Sequence, residues 1–159
     1  MDINISIEQI NSQRKRDIEA IAKQNDITTQ YGLKLSENQI QNIIEHRFTM
    51  LKETNRVEFG EGIILKLIDA FYDSPYINQD NYEDTLNELQ TVFYFFKNEA
   101  LERLPDDDLI DAMKTVFNGK AQGSIEYLAG TAMENLCRSY RDGIVEITDF
   151  SEGDDIPDE

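Results

Sequence analysis

Apolar residues recur along the chain at helical spacing, and the longest run is in its middle. At 100° per residue Tyr82, Leu86, Leu89, Val92, Phe93, Phe96, Ala100 and Leu104 share one stripe, which predicts a single helix from Tyr82 to Leu104. Tyr94 and Phe95 flank that stripe, so the segment is apolar on almost every side and should form the centre of the fold. Val, Phe and Tyr also favour strands, but the stripe outruns an ordinary strand. Asp80 with Glu83 resembles a capping box, Glu83 and Asp84 suit the positive end of the helix dipole, and Pro105 ends the segment because it cannot continue a helix.

The flanking sequence reads as further helices. Ile3, Ile5 and Ile7 alternate with polar residues as in a strand, although Ser6 with Gln9 would instead cap a helix beginning at Ile7. From Gln9 to Asn25, Ile10, Asp17, Ile18 and Ile21 form the thin stripe of a peripheral helix. Tyr31-Gly32 marks a turn, followed by a short extended piece with Leu33 and Leu35. Ser36 with Gln39 opens a helix whose face is Ile40, Ile43, Ile44, Phe48 and Leu51 and which closes near Asn55, a residue that tolerates left-handed backbone. In Val57–Asp73, Ile63, Ile64, Leu65, Leu67, Ile68 and Phe71 crowd nearly all round a helix from Gly62 onward, so this helix too should be central. After the turn Ser74-Pro75-Tyr76 and the aromatic helix, Asp106-Asp107-Asp108 caps a helix with Leu109, Ile110, Met113, Val116 and Phe117 inward and Gly119 at its end. Ser124 opens a last helix through Arg141, with Ile125, Leu128, Ala129, Ala132, Leu136 and Tyr140 on one face and Asp142-Gly143 as its stop. Ala129, Gly130 and Ala132 should let a neighbouring helix come close. Ile144–Ile147 is β-prone and could pair with Ile3–Ile7. The expected fold is all-α, a compact bundle of about five to six helices with, as a minor addition, a two-stranded element joining the termini. Residues 1–150 form one domain and 151–159 an acidic flexible tail.

Charge changes this picture more than composition does. The 159 residues carry a net charge of −17, unevenly placed. Residues 1–56 hold eight basic and eight acidic side chains, 57–119 four and fourteen, 120–141 three and two, and 142–159 none and eight. A field of that sign repels nucleic-acid phosphates and anionic lipid and attracts a basic protein or small cations. Met1 to Arg16 contains no continuous apolar core of a signal peptide, and no apolar run is long enough to span a bilayer, which points to the cytoplasm. The single cysteine, Cys137, excludes an internal disulfide.

Candidate chemistry fails motif by motif. Gly60-Glu61-Gly62 begins like a dinucleotide fingerprint, but Leu65 stands where the third glycine belongs; the glycines are better read as points of close approach. Asp111 occupies the position where a calcium loop starting at Asp106 needs glycine. Gly119-Lys120 lacks the earlier glycine, Lys114 standing there, and no Ser or Thr follows it. His46 lies off the apolar face with no second histidine, and Cys137, beside Met133, reads as a core thiol. Arg14-Lys15-Arg16 reads as a solvated helix face. Glu99, Glu102, Asp106, Asp107, Asp108 and Asp111 cluster at one helix junction, the one place where carboxylate or divalent-metal chemistry could arise. No catalytic, cofactor-binding or metal-binding residue is nominated, and no cofactor is expected.

Four segments, Gln30-Tyr31-Gly32-Leu33, Arg56-Val57-Glu58-Phe59-Gly60, Asp73-Ser74-Pro75-Tyr76-Ile77 and Leu128-Ala129-Gly130-Thr131-Ala132, give the chain a further likeness. Over roughly residues 30–141 it resembles a family of small, acidic, uncharacterised bacterial proteins. That resemblance implies no activity and supplies no site. The leading expectation is a non-enzymatic protein–protein interaction module with an acidic surface. The alternatives are a carboxylate- or metal-dependent enzyme and an acidic nucleic-acid mimic that blocks a basic partner.

Overall fold

The computed structural model describes residues 3–58 and 62–143, and side chains from Ser12 onward. The chain forms α1 (Ile3–Lys23), α2 (Asn25–Thr28), a 3-10 turn (Thr29–Tyr31), α3 (Glu37–Glu53), α4 (Ile63–Phe71), α5 (Tyr82–Glu99), α6 (Asp106–Asn118), α7 (Ile125–Leu128) and α8 (Thr131–Asp142). The fold is all-α, as the periodicity predicts, with no strand among the described residues. Ile3–Ile7 is the first part of α1, so the strand reading of this stretch is wrong and the helix starts earlier than Ile7. Ile144–Ile147 and the tail at 151–159 lie outside the described residues, as does Gly60.

α5 is the centre. It packs against α3, α4, α6, α7 and α8, while α1 covers α3 from outside. All eight stripe residues from Tyr82 to Leu104 are buried. The helix itself is shorter than the stripe. It stops at Glu99, and Leu101 and Glu102 turn left-handed with φ of 53° and 67°. The cause lies downstream: Pro105 forces Leu104 out of the helical region, and the buried Lys97 ammonium donates to the Leu104 carbonyl, folding the turn back onto α5. Ala100 and Leu104 therefore stay inside without being helical.

Local chemistry sets most of the other ends. At the start of α3, Ser36 Oγ accepts from Gln39 N at 3.1 Å and Gln39 Oε1 accepts from Ser36 N at 2.8 Å, a complete capping box. Asn55 ends the segment left-handed at φ 57°. Ser124 caps α7, accepting from Tyr127 N at 3.1 Å, and Gly143 stops α8 at φ 80°. Asp80 does not cap α5: Asn81 holds that position, its amide bonded to Asn78 Oδ1 at 3.0 Å while its own Oδ1 accepts from Asn78 N at 2.9 Å. Likewise Pro105 holds the cap position of α6, and Asp106-Asp107-Asp108 forms its first turn, compensating the helix dipole from inside. Asp17 is buried as the stripe of α1 implies and accepts from Gln13 Nε2 at 2.7 Å.

Two faces differ from expectation. On α3 the buried set is Ile40, Ile43, Ile44, Arg47, Met50 and Leu51; Phe48 is exposed, with the Arg14 guanidinium 5.3 Å from its ring centre. The last helix is broken. Gly130 is extended, at φ −106° and ψ −150°, so α8 restarts at Thr131 in a new register. That register buries Met133, Leu136, Cys137 and Tyr140 and leaves Ala129 and Ala132 exposed, so those small residues admit no neighbouring helix. The helix after Val57 begins only at Ile63, and Val57 itself is 80% exposed.

Phe93 and Phe96 are fully buried at the centre of α5. Phe93→Ala or Phe96→Ala should each cost about 3–5 kcal/mol in a denaturant melt. Losses under about 1 kcal/mol for both would mean that this stripe is not the core.

Candidate functional site

The carboxylates that gather in sequence at the α5–α6 junction do not converge in space. Arg56 Nη2 donates to Glu102 Oε1 at 2.8 Å while its Nη1 bonds the other carboxylate oxygen, a two-pronged pair. Asp106 lies 2.7 Å from Lys97 Nζ, Asp107 2.9 Å from Lys66 Nζ, and Glu99 3.9 Å from Arg141 Nη1. Each of these four thus faces a different cation. Among the described residues no three His, Cys, Asp or Glu side chains come together in a way that could hold a metal ion.

Beside this junction is a polar assembly that the sequence pattern does not reveal. Arg47 points inward from α3 and is 1% exposed. Its guanidinium fits against the backbone of Gly62, where an added Cβ would fall 2.5 Å from Nη2; Gly62 also sits at φ 57°. The expected close approach at the glycines is real at Gly62, and its partner is this arginine. Glu58 Oε1 accepts from the Tyr94 hydroxyl at 2.7 Å and lies 3.4 Å from Arg47 Nη2, while Glu58 Oε2 is 3.6 Å from Arg56 Nε. Arg56 in turn reaches Asn98 Oδ1 at 3.0 Å and stands 5.5 Å from the centre of the Tyr94 ring. Charges taken from water must be paired and hydrogen-bonded to be tolerated. Here the pairing ties the segment after α3 to both α3 and α5. Burial, then the hydrogen bond and negative charge of Glu58, push the Tyr94 hydroxyl well above its ordinary range, so it remains a donor at neutral pH. Its role in this arrangement is structural.

The single reactive side chains are equally occupied. His46 is half-buried, not fully solvated, and its Nε2 is 2.8 Å from Thr91 Oγ1. Burial lowers its pKa from 6.5, outweighing the hydrogen bond its ring donates to the Asn87 backbone and the charge of Glu53. Cys137 is fully buried, and burial followed by the charge of Glu99 pushes its thiol up to about 12, the opposite of an activated nucleophile. The Arg14-Lys15-Arg16 cluster disperses: Arg14 pairs with Glu45 at 3.0 Å, Arg16 donates to Gln13 at 2.7 Å, and Lys15 is exposed.

Arg47 could have been found from the sequence. It completes the i, i+3, i+4, i+7 row begun by Ile40, and only its charge argues against burial. Glu58 and Arg56 carry no such signal, because they lie in a segment without periodicity.

The chain belongs to a family of unknown function, DUF6323, matched over residues 20–146. No curated protein and no solved structure matches it. The family match extends beyond the segments that carry the resemblance, taking in the last turn of α1 and all of α8. Among the described residues no helix is long and apolar enough to cross a membrane.

Tyr94→Phe removes one hydrogen bond to a charged, mostly buried carboxylate and should cost about 1.5–3 kcal/mol by denaturant melt, with the helical content unchanged. His46 gives a pH signature. Its folded pKa lies below the unfolded value of 6.5, so the unfolded chain binds more protons between the two. Its contribution is fully present above 6.5 and is lost as pH falls through the folded pKa. Melts between pH 7.5 and 5.5 should show a steeper decline for the parent than for His46→Gln, and parallel curves would refute the shift.

Proposed function

We propose that this protein is a non-enzymatic binding module of the bacterial cytoplasm that presents an acidic surface to a basic protein partner. The observation that carries this reading is the division of labour among its carboxylates. At the α5–α6 junction Glu99, Glu102, Asp106 and Asp107 are paired with four different lysines and arginines instead of being aimed at a common point. Others remain on outward faces: Asp69 and Asp73 on and after α4, Asp84 and Glu88 on α5, and Asp111 on α6 are all exposed. On α1, by contrast, Lys15, Arg16 and Lys23 are exposed. The net charge of −17 thus leaves unpaired carboxylates on the outward faces of α4, α5 and α6. A negative field accelerates encounter with a surface of opposite sign and repels phosphates and anionic lipid.

The test is capture of partners from a cell extract followed by association kinetics with the purified partner. Association should slow as salt shortens the screening length below about 10 Å, and removal of Ser151–Glu159 should lower the rate modestly without changing the melt. A partner that associates equally fast at low and high salt would leave the charge a solubilising role only.

A further inference from the structure

The end of α4 carries charge of the sign that a helix end disfavours. The last carbonyls of a helix give it a partial negative charge, which favours lysine or arginine in the final turn. α4 has no basic residue there. It has Asp69 instead, and Asp73 follows two residues after the helix stops; its one lysine, Lys66, is taken by Asp107 of α6. Both aspartates are exposed. Neither forms an ion pair with any described residue, in contrast to Glu99, Glu102, Asp106 and Asp107.

Tyr72 stands with these carboxylates. Its backbone is still helical, φ −62° and ψ −25°, with its N–H bonded to the Ile68 carbonyl at 3.0 Å, so the spacing of three residues places it beside Asp69. The ring of Tyr31, 55% exposed, meets that of Tyr72 edge to face, the centres 4.8 Å apart and the planes at 90°. A fixed turn holds Tyr31 there: Thr28 Oγ1 donates to the carbonyl of buried Leu33 at 2.9 Å, Leu33 N donates to Thr28 O at 3.0 Å, and Gly32 makes the reversal at φ 80°. An edge-to-face contact uses one ring face only. Tyr31, then burial, then the charges of Asp73 and Asp69 all raise the Tyr72 hydroxyl above its ordinary range, with no opposing cation among the described residues.

Two other places in the molecule show what such a combination takes. Arg14 lies 5.3 Å from the centre of the Phe48 ring and pairs with Glu45. Arg56 lies 5.5 Å from the centre of the Tyr94 ring and pairs with Glu58 and Glu102. In each, an aromatic face and a carboxylate hold one guanidinium, which is planar enough to stack and charged enough to pair. At Tyr72 the rings, two carboxylates and the negative helix end are all present, and the arginine is not supplied by the described chain.

We propose that Tyr31 and Tyr72, with Asp69 and Asp73, receive one arginine side chain of a basic partner protein, its guanidinium on a tyrosine face and paired with the aspartates. The proposal rests on the acidic-module reading and gives that module a specific contact. Because the turn and the helix end are already fixed, the receptor needs little ordering when the arginine arrives.

The test titrates the full chain at low salt with N-acetylarginine amide and with its neutral citrulline counterpart, following the backbone amide signals of residues 30–32 and 69–73 by NMR. These signals should move saturably with the arginine compound and stay in place with the citrulline one. Tyr31→Phe combined with Tyr72→Phe keeps both rings and should bind as the parent does. Tyr31→Leu combined with Tyr72→Leu should bind about fivefold more weakly, the loss of an exposed ring–cation contact. Asp69→Asn combined with Asp73→Asn should also weaken binding, whereas Asp84→Asn combined with Glu88→Gln, on α5, should not. If the double leucine variant does not fold, Tyr31→Leu, at a ring already largely in solvent, carries the same comparison. Absence of saturable shifts in the parent, or equal affinity of the parent and the leucine variant, would overturn the receptor. The acidic-module reading would survive either result, because the salt dependence of partner association decides it separately.

Discussion

Burial of α5 on most of its circumference is the constraint from which the rest of the structure follows. A helix enclosed by α3, α4, α6, α7 and α8 can keep polar side chains on its inner faces only if other segments come to meet them. Three do. Gln90 Nε2 donates to the Ile43 carbonyl of α3 at 3.2 Å; Tyr94 donates to Glu58 in the segment after α3; Lys97 donates to the Leu104 carbonyl and pairs with Asp106 at the start of α6. They lie at successive turns along α5 and fasten, in order, a helix, a connecting segment and a reversing turn. Apolar burial supplies the driving force, but it is non-directional; these bonds decide which segment lies where.

The same constraint separates what was legible in the sequence from what was not. Apolar periodicity reports which residues face inward, and it does so reliably for Tyr82–Leu104, for Leu109–Phe117 and for most of α3. It is blind to where backbone conformation changes while burial continues. Ala100 and Leu104 keep their places in the stripe although the helix has ended, because the turn folds back onto the core. Gly130 shows the converse: one extended residue shifts the register of α8, and the inward set changes from Ala129 and Ala132 to Met133 and Cys137. Polarity used as a filter misleads in a third way. Arg47 fits the α3 stripe in position and fails it in charge, and position is what the structure follows, because Gly62 and Glu58 make room and supply a partner.

Cap chemistry was legible only where it is purely local. Ser36 and Gln39 answer each other across one turn and need nothing else, so the pattern and the structure agree. Asp80 and the Asp106-Asp107-Asp108 run also look like caps, but an Asn78–Asn81 pair displaces the first and Pro105 moves the second one position inward. In the first turn the aspartates still meet the helix dipole, and they gain partners a cap would not have, Asp106 with Lys97 and Asp107 with Lys66.

Those pairings also explain how a chain of this charge folds compactly. Like charges oppose compaction, and the opposition is greatest where carboxylates are densest, at the α5–α6 junction. Each lysine or arginine brought to that junction comes from a different part of the chain: Arg56 from beyond α3, Lys66 from α4, Lys97 from α5 and Arg141 from α8. The carboxylates therefore act as points of assembly for elements distant in sequence. Exposed ion pairs of this kind are individually weak, but Lys97 and Arg56 are largely shielded from water, where pairing contributes more. The acidic excess left on the outside is what remains after these internal demands are met. Among the described residues, part of it lies on outward faces of α4, α5 and α6, at Asp69, Asp84, Glu88 and Asp111.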